Sequence, residues 1–364
     1  MTSGAHYEIV RRSLLEKLNY GKVRSRIVTM PDYFLDHSLS CDFDTRALVR
    51  RMLSLESRGG GEISDVHQSL EVGGNAAICT LALANLGVTV RPIMKTDPLG
   101  LSLFRQACGS SKVDLSGVKL TEWSPMMTTI LELQRRKGVA NIMLGDISRV
   151  TPFSFEDLTP QDLRSIDAAE FVGVFNWLYN RKGTELAEKV FAYCHTHSQA
   201  LTFVDTADVR PRLGDLPEFV RKVLNKGLVD ILGLNENEAL IVAGVYQPKR
   251  KERKDVIAAS RIISENSGAT VYVHTSDYSV STSTKGVSRV PAFRVRQLRG
   301  TGAGDSWNAG LLVANSLNLA EEESLLFANA VAARYISNLK RAHSSIDNIR
   351  EFIRSPSCTL KKIH

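Results

Sequence analysis

The residues Gly300-Thr301-Gly302-Ala303-Gly304-Asp305 set three glycines at alternate positions and end on a carboxylate. Glycine lets successive backbone N–H groups turn toward one point, and the apolar helical stretch that follows adds its unpaired N-terminal donors and the positive end of its dipole. Such a concavity suits a phosphate, or a phosphoryl group in transit. Asp305, at the helix start, is placed to take a proton from an attacking hydroxyl while the backbone donors stabilise charge on the transferred group.

Further polar residues follow apolar, strand-like runs, where ligands gather in open α/β sheets. Asp32 and Asp36 lie just past Arg26–Met30, and either could bind substrate hydroxyls or cap a turn. Gly73-Gly74-Asn75 opens an alanine-rich helix; the glycines permit a tight strand-to-helix turn and also expose N–H groups, beside the Asn75 amide, to a polar ligand. Asn176, Asp205 with Asp208 and Arg210, and Asn235 with Glu238 occupy similar rim positions. Cys194-His195-Thr196-His197 has no second ligand cluster at a useful spacing and reads as a helix end with exposed histidines, not a metal site.

The elements that must hold these groups alternate. Strands at 171–175, 201–205, 229–234 and 270–274 are separated by helices at 183–193, 216–224, 236–243 and 256–265, a βαβ series whose apolar strands indicate a parallel sheet covered on both faces. Upstream, 26–30 reads as a first strand, 42–55 as a helix, 66–72 as extended, 75–86 as a helix and 88–94 as a strand. The runs 128–134 and 140–144 form a hairpin around the basic turn Arg135-Arg136-Lys137-Gly138-Val139. A short β segment at 278–291 precedes the glycine loop, and helices at 306–316, 321–337 and 346–353 follow it.

Composition narrows the class. The 364 residues are 43% hydrophobic and 23% charged, ordinary for a globular protein. The formal net charge is +7, but it is dispersed; the densest run, 249–254, lacks interleaved aromatics and reads as a solvated loop, so nucleic acid is not expected as a partner. Five scattered cysteines and no CxxC pair argue against a disulfide framework or zinc ribbon. No apolar run approaches the roughly 20 residues of a membrane span, and the first residues do not read as a secretion signal, so a cytoplasmic location without membrane contact is expected.

In sequence order, Gly73-Gly74-Asn75, Thr96-Asp97-Pro98-Leu99-Gly100, Asn235-Glu236-Asn237-Glu238 and Gly302-Ala303-Gly304-Asp305 resemble the motifs of the ribokinase-like PfkB family of carbohydrate and nucleoside kinases, across most of residues 26–340. The resemblance implies a three-layer α/β fold with a mainly parallel central sheet and a small β lid. It places a kinase domain at 26–355, with lid elements at about 62–72 and 126–145, and a C-terminal tail at 356–364, while residues 1–25, where Tyr7, Val10, Leu14, Leu15 and Leu18 recur at a helical period, read as an N-terminal helical extension. The implied reaction moves a phosphoryl group from a nucleotide, ATP in preference to ADP, to a hydroxyl of a sugar, sugar phosphate or nucleoside.

Asp305 would be the general base, with the amides of Gly302, Ala303 and Gly304 as the anion hole. Asp32, Asp36, Gly73, Gly74, Asn75 and Asn176 would line the acceptor side; Asn235, Thr275, Thr301, Gly302, Gly304 and Asn329 would face the nucleotide. Asn235 and Glu238 would stand near Mg2+, held largely through water and phosphate oxygens. The lid is also where a homodimer would form.

Three departures from the family pattern stand out. Arg299 occupies the place of an Asp that often helps form a monovalent-cation site, which argues against potassium activation. Thr275-Ser276-Asp277-Tyr278-Ser279 replaces the usual glycine-containing nucleotide loop. Lys95, with Arg91, Arg135 and Arg136, raises a phosphorylated acceptor. The competing readings are a sensor on the same fold that binds without turnover, and a dinucleotide oxidoreductase; the glycine spacing is wrong for the latter, and only about 60 residues follow it.

Overall fold

Successive side chains of a strand point to opposite faces of its sheet, and the central strands here are apolar on both. Ile27 packs into one core and Val28 into the other; Phe171 and Val172, Phe203 and Val204, and Tyr272 and Val273 divide in the same way. A sheet with two apolar faces needs helices on both sides, which is the three-layer arrangement found. The structure is a computed structural model that describes residues 3–21, 23–109, 112–122, 125–134, 139–146, 152–248, 255–338, 342–355 and 358–362.

In chain order the elements are α1 (Ser3–Tyr20), β1 (Arg26–Met30), β2 (Phe34–Asp44), α2 (Thr45–Glu56), β3 (His67–Gly73), α3 (Asn75–Asn85), β4 (Thr89–Pro92), β5 (Met94–Thr96), α4 (Pro98–Cys108), β6 (Val118–Leu120), β7 (Met127–Gln134) and β8 (Val139–Gly145). There follow α5 (Pro160–Asp167), β9 (Phe171–Val174), α6 (Gly183–His197), β10 (Leu201–Asp205), α7 (Leu216–Phe219), β11 (Ile231–Asn235), α8 (Glu236–Tyr246), α9 (Val256–Ser267), β12 (Thr270–His274), β13 (Tyr278–Ser283), β14 (Gly286–Pro291), α10 (Ala303–Ser316), α11 (Glu321–Ile336) and α12 (Ile346–Arg354).

Among the described residues, eight strands form the central sheet in the order β14-β13-β12-β11-β10-β9-β1-β4. β4 through β12 run parallel, and β13 and β14 extend the sheet antiparallel. Helices α1, α3, α4, α10, α11 and α12 contribute to the core on one face; α5 to α9 cover the other. Because the strands are parallel, their carboxyl ends share one edge, so Asp205, Asn235 and His274 end neighbouring strands there.

A second, smaller sheet, β3-β2-β7-β8, is separate from the central one. The expected lid segments become β3, β7 and β8, but its second strand is β2, which the sequence reading did not foresee. Phe34-Leu35-Asp36-His37-Ser38-Leu39-Ser40-Cys41-Asp42-Phe43-Asp44 holds no β-branched residue and several turn-favouring ones, so it carries little strand propensity. Pairing decides it: residues 34–40 of β2 bond antiparallel to β3, and its other edge runs parallel to β7. The lid reaches back to the glycine loop through Asn141 Nδ2, which donates to Thr301 Oγ1 at 2.8 Å.

Candidate active site

The glycine loop enters α10 with Gly302 as its N-cap in the left-handed region, φ 79°, and among the described residues no side chain caps the helix. The first-turn amides are therefore left to whatever occupies the adjoining cleft, a cavity of about 320 Å3 lined by Gly300 through Asp305. Position 302 needs glycine twice over, for its φ and because a Cβ there would come within 2.7 Å of the Tyr335 hydroxyl. Asp305 is buried on the first turn of α10. Burial, reinforced by Asp205, Asp32 and Asp36, pushes its carboxyl well above the usual carboxylate range.

On the opposite wall Gly74, φ 92°, caps α3, and Asp32 supplies the acceptors that the start of this helix needs. Asp32 Oδ2 accepts from Asn75 N at 2.7 Å and Asn176 Nδ2 at 2.9 Å, and Oδ1 accepts from Ala76 N at 2.9 Å. Burial nevertheless raises its pKa, outweighing these bonds. The two early aspartates thus part: Asp32 braces α3, while Asp36 lines the cleft with Gly74, Asn75 and Asn176. Gly73 lies beneath Asp36, where a Cβ would strike the carboxylate at 2.2 Å. Asn176 has φ 52°, and its Oδ1 is buried with no hydrogen-bond partner among the described residues, an acceptor left for a ligand hydroxyl. Phe34, Ile78, Ile130, Met143 and Tyr179 give the same side an apolar wall.

Between these walls Asp205 and Glu238 gather negative charge. Asn235 and Glu238 form a reciprocal cap on α8: Glu238 Oε2 accepts from Asn235 N at 2.8 Å, Glu238 Oε1 from Asn235 Nδ2 at 2.5 Å, and Asn235 Oδ1 from Glu238 N at 3.1 Å. Asp205 accepts from Ala207 N at 2.7 Å and Asn308 Nδ2 at 2.5 Å. Burial raises both carboxyls, and the Asp205 charge raises Glu238 further. Such mutual repulsion fits a cation brought in with a ligand. Among the described residues no three His, Cys, Asp or Glu side chains converge into a direct metal cage, and the cap already occupies Asn235 and Glu238, so the set suits an ion reached through water.

A second cavity, about 290 Å3, continues past His274 and Ala303, which line both. Thr275 and Asn329 line it with Phe293, Val295, Trp307 and Ala333. Asn329 ties its amide to Trp307 Nε1 at 2.9 Å and to the Pro291 carbonyl at 3.2 Å; Thr275 Oγ1 donates to the Tyr278 carbonyl at 2.8 Å. Burial holds His274 down to about 4, so it is a neutral ring at physiological pH. Asp205 stands at the rim position expected of it, at the end of β10; His274 was not singled out, and its one signal in the chain is that it is the last residue of a parallel strand.

The cations singled out in the sequence go elsewhere. Arg91 is buried against Asp114 at 2.6 Å and Asp162 at 3.1 Å, and Lys95 pairs with Asp157 at 2.8 Å. Neither lines the main cleft. Arg135, Arg136 and the basic run 249–254 lie outside the described residues.

Relatives share both fold and sequence pattern. A ribokinase of Haemophilus influenzae is 31% identical over 125 residues, 34% of this chain and 40% of that protein, so the match spans less than half of the relative's length. The crystal structure of a ribokinase from Cryptococcus neoformans var. grubii serotype A in complex with ADP superposes with a TM-score of 0.67 at 14% identity, covering 91% of this chain and 99% of that one. An adenosine kinase from Sinorhizobium meliloti gives a TM-score of 0.64 at 18% identity over 88% and 95%. Residues 48–347 match the model of the pfkB family of carbohydrate kinases, and the chain belongs to that family.

Proposed function

We propose that this protein transfers the terminal phosphoryl group of ATP, with ADP as the alternative donor, to a hydroxyl of an uncharged sugar or nucleoside. The observation that carries this reading is one cleft shared by Asp305, the first-turn amides of α10, and the polar set Asp36, Asn75 and Asn176. An acceptor hydroxyl held by Asp36, Asn75 and the free Asn176 Oδ1 would face Asp305. Asp305 takes its proton as the oxygen forms a bond to phosphorus and the bond to the nucleoside diphosphate breaks. The amides of Gly302, Ala303 and Gly304, at the positive end of α10, stabilise the charge on the moving group. Mg2+ bound with the nucleotide phosphates would neutralise their charge beside Asp205, Asn235 and Glu238, largely through water.

The second cavity takes the nucleotide base between Thr275, Asn329 and its apolar walls. Among the described residues that line the cleft there is no Lys or Arg, while Asp36, Asp205, Glu238 and Asp305 are acidic. That balance disfavours a phosphorylated acceptor and favours a neutral polyol, with an apolar portion against Phe34, Ile130 and Met143. The test is a transfer screen with ATP and with ADP against nucleosides, hexoses, pentoses and their phosphates, read as nucleotide product released. Transfer to a neutral acceptor is expected. A preference for sugar phosphates would overturn the charge argument, and no transfer to any acceptor would favour binding without turnover.

A further inference from the structure

We propose that Arg299 is the built-in cation of the phosphate-binding loop, standing where relatives would recruit a monovalent ion, and that donor binding therefore needs no such ion. The proposal rests on the kinase reading above.

Arg299 is 4% exposed and immediately precedes Gly300. Its Nε donates to the carbonyl of Tyr335 at 3.1 Å, in the last turn of α11, and its guanidinium carbon lies 3.6 Å from the centre of the Tyr335 ring. Leu298 N donates to the next carbonyl, Ile336, at 2.9 Å, so two successive residues bind the base of the loop to the C-terminus of α11. A cation is favoured at that end of a helix. The same tyrosine carries the loop: its hydroxyl lies 2.7 Å from where a Cβ of Gly302 would be, and its ring stacks on His343 with centroids 4.6 Å apart. Arg299 and His343 thus fix Tyr335, and Tyr335 fixes the Gly302 turn. His343 adds no charge, because burial and the neighbouring Arg299 hold it down to about 3.

These residues do not fit a monovalent cation. Such an ion needs carbonyl oxygens and, at best, a carboxylate. Here the carboxylate position is a guanidinium, and the Tyr335 carbonyl already accepts from it. A second positive charge beside it would be repelled in a buried setting. The guanidinium answers the electrostatic need of the site instead: the described side chains lining the cleft are acidic or neutral, and Arg299, held against Tyr335 in the residue before Gly300, puts a permanent positive charge at the base of the loop. It is a positioning residue, since it acts through Tyr335 and the loop backbone.

The test measures Mg-ADP and Mg-ATP affinity by calorimetry, and transfer rates on the best acceptor, in K+, Na+ and tetramethylammonium salts at equal ionic strength. Wild-type affinity and rate should change less than about twofold among the salts. Arg299→Ala should weaken donor affinity and lower kcat about tenfold or more with acceptor KM little changed. Arg299→Lys, or added methylguanidinium or K+ with Arg299→Ala, should restore part of the loss. Strong activation of the wild type by K+, or full donor affinity in Arg299→Ala, overturns the proposal. So does a loss that neither lysine nor any added cation relieves, since that is a packing defect. Donor affinity is read without an acceptor, so failure to find transfer would count against the kinase reading and leave the salt series decisive for Arg299.

Discussion

Asp305→Asn should abolish catalysis and stabilise the ligand-free protein, two effects of opposite sign from one oxygen. The substitution keeps the shape of a side chain only 7% exposed and removes its charge. Loss of a positioned base lowers kcat by about 10²- to 10⁴-fold, or about 3–5 kcal/mol of barrier. Stability moves the other way. The folded state raises the Asp305 pKa through burial and the charges of Asp205, Asp32 and Asp36, so folding favours the protonated form. A raised pKa gives a contribution that is fully present below the ordinary value of 3.8 and is lost as pH rises through the elevated one. Each tenfold displacement of that proton equilibrium corresponds to ~1.4 kcal/mol. Urea unfolding near pH 4 should therefore separate wild type and Asp305→Asn little, and near pH 8 the variant should unfold at higher urea with an unchanged slope. Transfer assayed alongside should show a collapsed kcat with donor affinity kept or improved. A variant retaining more than about a tenth of kcat would show that the base lies elsewhere, and one less stable near pH 8 would refute the electrostatic account.

The two early aspartates should separate by assay: Asp32→Ala leaves two α3 amides and the Asn176 amide without their acceptor and should destabilise by about 2–4 kcal/mol, whereas Asp36→Ala should change stability by less than about 1 kcal/mol and raise acceptor KM. Urea midpoints and acceptor saturation curves check both. Gly302→Ala forces a left-handed alanine against the Tyr335 hydroxyl and should weaken donor affinity about tenfold or more, with acceptor binding intact. Chelation of Mg2+ should stop transfer reversibly. Glu238→Gln should raise the Mg2+ needed for half-maximal rate and, by the same sign as for Asp305, gain stability over the wild type as pH rises through the raised Glu238 pKa.

What could be read from the chain divides along a physical line. β1, β10 and β12 are bounded as expected because a buried parallel strand is a short unbroken apolar run, and the glycine loop is visible because its backbone conformation demands its residue type. β2 was missed because its stability comes from pairing on both edges, which no local propensity records. The same limit applies to side chains. Whether Asp32 or Asp36 faces the cleft depends on where α3 begins in space, and the aspartates are four residues apart on one segment. Arg91 and Lys95 look like phosphate ligands in sequence, but their partners Asp114, Asp162 and Asp157 lie far along the chain. Arg299 was visible as a departure from a pattern, but what it replaces is visible only with Tyr335 beside it.

The bond from Asn141 to Thr301 crosses from the lid to the loop that would carry the donor's phosphates. Were products enclosed under that bond, they would leave only after it breaks, and turnover would include a diffusive opening step as well as a chemical one. A diffusive step slows as solvent thickens, whereas proton and phosphoryl transfer within a sealed cleft do not. Turnover in the wild type should therefore fall with added viscogen, and Asn141→Ala, with the latch removed, should lose that dependence while leaking phosphoryl groups to water.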